Sequence, residues 1–148
     1  MNHSQNNHYS VMFCIMILSG LLTTMNVWVD KADDIRFSIN DVYMTLLMTG
    51  WMFLFMGLIY KEISVFFIGL SLILFNIWCI RTQFLITETQ YKLGMIPHHS
   101  MAVHMSKKLL EKENNISPFV RNIIKTQEKE LLILKNKEFG EYNGYNTI

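Results

Sequence analysis

Three stretches without a charged side chain, residues 11–29, 42–60 and 63–80, restrict this chain to very few architectures. Each holds 18 or 19 residues, and an α-helix needs about 20 to cross a hydrocarbon core ~30 Å thick. Lipid offers the backbone no hydrogen-bond partners, so a spanning segment must satisfy its own amides, as a helix does. The runs predict an all-α protein with three transmembrane helices, integral to a membrane and multi-pass, with the lipid bilayer as its first partner.

A secretory signal peptide is the rival reading of the first run. Residues 1–10 carry no Lys or Arg, the run is longer than a usual signal core, and Asp30 and Lys31 follow it directly. A retained helix is therefore expected. Asn26 and Asn76 inside the runs are expected to pair between helices. Met44, Met48, Met52 and Met56 recur every fourth residue. Flexible packing is the expectation for them, ahead of a thioether path for Cu(I).

Only Lys61 and Glu62 separate the second and third runs, which predicts a tight antiparallel hairpin. The segment 30–41 holds four Asp, one Lys and one Arg without the spacing of a calcium loop, so a solvated loop is expected. After Arg81 the composition becomes amphipathic. Thr87-x-x-Gln90 has the form of a capping box and predicts a helix from near Glu88 to about Lys112. Ser117-Pro118 predicts a second helix, to about Phe139, with proline at its first position. Residues 1–81 thus read as a membrane domain, 82–139 as a helical hairpin and 140–148 as a flexible tail. Pro97 predicts a kink or a restart that frees a backbone carbonyl beside His98.

The chemistry lies on the first helix of that hairpin. At 100° per residue, Met95, His98, His99 and Met105 fall on one face. Imidazole with thioether is a donor set that suits copper, since soft sulfur favours Cu(I). Met101 lies off the stripe as a further candidate ligand, and His104 points to the opposite side. On the second helix, Gln127 interrupts an apolar stripe with Glu130 at its edge. If the hairpin turn sets Lys112 level with Pro118, Glu130 lies level with residues 98–101 and Gln127 with Val103. Both are then placed to orient imidazole N–H groups. A net charge of +1 gives no footprint for nucleic acid. The two cysteines form no metal or redox motif, and no nucleophile elbow, phosphate loop or zinc-protease signature occurs, so no enzyme is expected.

These residues resemble the family catalogued as domain of unknown function 305. The matching positions are Met95, Ile96, Pro97, His98, His99, Ala102 and Met105, then Ile123, Ile124, Gln127, Glu130 and Leu131. The resemblance covers residues 87–134 and extends to short bacterial members with three membrane helices before one hairpin. It implies a ferritin-like helical module that binds copper, linked to copper tolerance. Family members often carry methionine where this chain has Leu134, which removes one soft donor. Larger relatives carry two hairpins that close a four-helix bundle. A single hairpin implies a homodimer, a larger homo-oligomer, or docking on the membrane helices.

The expected function is therefore membrane-anchored copper sequestration or handover. The alternative is a membrane interaction protein whose hairpin serves packing and dimerisation alone. Lys31, Arg36, Arg81 and Lys92 lie on the hairpin's side of the membrane and Lys61 on the other, so the positive-inside rule favours a cytoplasmic hairpin. The copper-handling resemblance favours the outer face, and the side stays open.

Overall fold

The computed structural model describes the backbone of residues 3–135 and the side chains of residues 9–135. The expected tail and the helix end near Phe139 lie outside the described residues. Among the described residues five α-helices follow one another: α1 (His3–Leu22), α2 (Ile39–Ile59), α3 (Ile63–Thr82), α4 (Glu88–Leu110) and α5 (Ser117–Lys135). Short 3-10 turns, Met25–Trp28 and Ala32–Asp34, lie between α1 and α2. By length and composition, Tyr9–Trp28, Ile39–Ile59 and Ile63–Thr82 can each cross a membrane. The fold is all-α.

The chain forms two compact units. One comprises the described residues up to Val27 together with Phe37–Gly94; the other comprises Trp28–Arg36 and the described residues from Met95 onward. Helix α4 contributes to both.

In the first unit, α2 and α3 form the tight hairpin. Tyr60 N–H donates to the Met56 carbonyl and Glu62 N–H to the Gly57 carbonyl, both at 2.9 Å. Lys61 takes the left-handed conformation, φ 56°, that ends the helix. The helices then touch backbone to backbone. A Cβ on Gly57 would fall 2.6 Å from Phe66 Cα, and one on Gly69 would fall 2.8 Å from the Gly50 carbonyl oxygen. Only hydrogen fits at either position. Phe53, Met56 and Val65 form the core, with Tyr9, Met12, Phe13 and Met16 of α1 packed against it.

Helix α2 begins three residues before the apolar run. The Asp41 carboxylate accepts the Ser38 N–H at 2.8 Å and the Ser38 hydroxyl at 3.0 Å, so Asp41 caps a helix instead of lying in a loop. Gln90 Oε1 accepts the Ile39 N–H at 2.8 Å. That use explains why only half of the expected box forms at the start of α4. Thr87 Oγ1 accepts the Gln90 N–H at 3.3 Å, while the Gln90 side chain serves α2. Asn76 does not pair between helices. Its amide donates to the Leu72 carbonyl of its own helix at 2.7 Å, because a carbonyl four residues back is always within reach.

In the second unit, Ile96, Val103 and Leu131 form a core with Ile124 and Leu134 against it. Of the expected kink or restart at Pro97, the restart does not occur: α4 is continuous through that residue. Proline still withholds its N–H from the carbonyl of Leu93. Asn114 organises the turn to α5. It donates to the Lys112 carbonyl at 2.9 Å and accepts the Ser117 hydroxyl at 2.9 Å.

Residues 28–36 form the third element of this unit; Lys31, Ala32, Asp33 and Ile35 are exposed as a solvated loop requires, but the expectation fails at Asp30 and Asp34. Asp34 is 1% exposed. Its Oδ2 accepts the Ser100 hydroxyl at 2.6 Å, and its Oδ1 is ion-paired to Lys135. Asp30 N–H donates back to Ser100 Oγ at 2.8 Å, and Lys107 donates to Asp30 Oδ2 at 2.7 Å. Two of the acidic residues that suggested solvation, Asp30 and Asp34, are those that find partners on α4 and α5.

Candidate metal centre

Helix α4 separates the two adjacent histidines by 100° of rotation. His98 is exposed and His99 is 8% exposed. Their ring centroids lie 5.8 Å apart with planes at 74°. His99 Nδ1 lies 3.0 Å from Glu130 Oε2, a close approach that is not aligned as a hydrogen bond. Gln127 also borders the ring, and its Oε1 is buried without a hydrogen-bond partner among the described residues. The structure therefore brings His98, His99, Gln127 and Glu130 together. Glu130 faces His99, as the turn-based register placed it; Gln127 sits about one turn from its expected level opposite Val103.

The methionines divide. Met95 and Met101 are half-buried on α4, each within one turn of His98 by helical spacing. Met105 is exposed and lines an apolar groove with Trp28, Leu109 and Ile116. Two turns of helix, about 10 Å, separate it from His98. His104 is half-buried with Nδ1 4.0 Å from Asp30 Oδ1. Among the described residues no three His, Cys, Asp or Glu side chains gather as a metal cage. In α2, Met44, Met48 and Met52 are exposed while Met56 belongs to the core.

Burial pushes the His99 imidazole below its ordinary 6.5. The charge of Glu130 opposes that shift, His98 adds to it, and the polar side chains of Gln127 and Glu130 beside the ring oppose it again. A neutral imidazole facing a carboxylate through Nδ1 leaves Nε2 with a free lone pair. The sign for stability follows. The unfolded chain protonates this histidine near 6.5, whereas the folded chain resists until lower pH. The contribution is present above 6.5 and is lost as pH falls through the folded value. In metal-free protein, the hydrogen-exchange protection of α4 and α5 amides, corrected for the intrinsic pH dependence of exchange, should fall as pH drops below 6.5. A His99→Gln variant should show a shallower dependence over that range; an identical profile would contradict the assignment.

Reading for imidazole and sulfur passed over Ser100, Asp30, Asp34, Lys107 and Lys135. Ser100 is fully buried beside His99 and fixes α4 to residues 30–34 at that point. Asp30 raises the Lys107 ammonium pKa above its ordinary value by its hydrogen bond, with Glu128 adding to the effect. The one sequence cue was the excess of Asp in a short connection.

A family model described as domain of unknown function (DUF305) matches residues 85–137. An uncharacterized protein of Acanthamoeba polyphaga mimivirus is 37% identical over 133 residues, covering 85% of this chain and 88% of that protein. The chain belongs to the DUF305 family. No solved structure matches it. The DUF305 segment contains α4 and α5, and hence both histidines, Gln127 and Glu130. Asp30 and Asp34 lie outside it, so a DUF305 hairpin is tied here by residues from elsewhere in the chain.

Proposed function

We propose that this DUF305 protein is a membrane-anchored copper-binding protein serving sequestration or handover. His98 and His99 supply nitrogen donors and Met95 a thioether one turn away, with Met101 as a further sulfur donor on α4; Met105, two turns along in the apolar groove, lies too far from the imidazoles to join them. Gln127 and Glu130 hold the His99 ring. One observation carries this reading: a buried, neutral imidazole faces a carboxylate through one nitrogen while a second imidazole stands 5.8 Å away. A histidine that ligates a metal usually gives its other nitrogen to such a carboxylate. Copper bound there would supply a soft, exchangeable centre, and the chain would supply its donors, their orientation and partial cover.

X-ray absorption on the full chain loaded with one Cu(I) equivalent tests the donor set. Both a nitrogen shell and a sulfur shell are expected. The Met95→Leu, Met101→Leu, Met105→Leu variant should lose the sulfur shell and retain the nitrogen one. An unchanged sulfur shell in that variant would overturn the thioether assignment.

A further inference from the structure

The second unit bears an open groove of about 510 Å³, floored by α4 and α5 near their connecting turn and walled by Trp28. Its apolar lining is widely exposed: Trp28 is 56%, Ile116 50% and Phe119 63% accessible. Soluble surfaces rarely carry contiguous apolar patches of this kind without an occupant. We propose that this groove docks on the headgroup layer of an anionic lipid bilayer.

Two observations select lipid as the occupant. Trp28 is the last residue of the candidate span Tyr9–Trp28. By length and composition that stretch can cross a membrane, and Trp collects at the ends of such segments. Charge is the second. Lys108 and Lys112, both exposed, line the groove, and no acidic side chain is among its described lining residues. Aromatic and aliphatic side chains bordered by lysine make up the composition of a helix face that lies in the interface. Lysine stems can lie along the apolar floor while their ammonium groups reach phosphate. A second copy fits less well. A two-fold contact sets the same patch against itself and brings the excess cations of both copies together. This proposal depends on the membrane spans and not on copper.

The test uses the full chain in nanodiscs with Cys14→Ala and Cys79→Ala as background. An environment-sensitive fluorophore is attached at Phe119→Cys, in the groove, or at Lys125→Cys, an exposed position on α5 outside the groove lining. Discs contain phosphatidylcholine alone or with phosphatidylglycerol, each with a lipid-borne quencher. The probe at 119 should emit further to the blue and be quenched several-fold more strongly than the probe at 125. Phosphatidylglycerol should strengthen that quenching, and Lys108→Glu with Lys112→Glu should weaken it. Both lysines are solvent-facing, and retained helix content by circular dichroism confirms that the variant is folded. Equal quenching at 119 and 125 overturns the proposal. So does a blue shift at 119 that needs two chains per disc and ignores the lipid quencher, which assigns the groove to a second copy.

Discussion

Replacing Asp34 with alanine is expected to speed hydrogen exchange across α4 and α5 by roughly 30-fold, equivalent to about 2 kcal/mol. Asp34 is almost wholly buried, accepts the Ser100 hydroxyl at 2.6 Å and is ion-paired to Lys135. Its loss leaves a buried hydroxyl without its acceptor and Lys135 without its counter-charge. Removing one partner of a buried ion pair typically costs about 3–5 kcal/mol. The Lys135 side chain keeps 31% of its surface in water, which lowers the expectation to about 2 kcal/mol because the freed ammonium can resolvate. Asp34→Asn should fall between wild type and alanine, since an amide oxygen can still accept from Ser100. Full-chain protein in detergent, exchanged at neutral pH and read peptide by peptide, provides the measurement. If α4 and α5 exchange at the wild-type rate in Asp34→Ala, residues 28–36 are not the third element of that unit.

The loop result marks where local reading stops. Helix starts at Glu88 and Ser117 were legible, because capping and proline placement act within a few residues. The α2–α3 hairpin was legible because two residues cannot connect long helices in any other way. Asp30 and Asp34 were not, because their partners lie 66 to 101 positions away in the chain and no periodicity records such a contact. Asn76 was misread for the opposite reason: a local acceptor was overlooked in favour of a distant one. Asp41 was assigned to a loop because the apolar run begins after it, although Ser38-x-x-Asp41 caps the helix.

The site divides along the same line. Helical angle alone put His98, His99, Met95 and Met105 on one face, but angle says nothing about axial distance. Two turns carry Met105 into the groove with Trp28 and Ile116. The pairing of His99 with Glu130 was accessible because a short turn fixes antiparallel register to within about one turn. The burial difference between the two histidines was not, because it depends on which side of α4 the second helix covers.

The central claim is that the imidazoles of His98 and His99 hold copper on this hairpin. It is tested most directly by titrating Cu(I) into the full chain against a competing chelator. The second large effect is expected here: His98→Ala with His99→Ala should weaken binding by about 100-fold or more, as loss of two donors demands. Glu130→Gln, which leaves both rings in place, should weaken it by about 10-fold. Because His99 is buried, Glu130→Gln also separates loss of a ligand from loss of the fold. A double alanine variant that binds Cu(I) as tightly as wild type would contradict the account and leave the hairpin as a packing and dimerisation element.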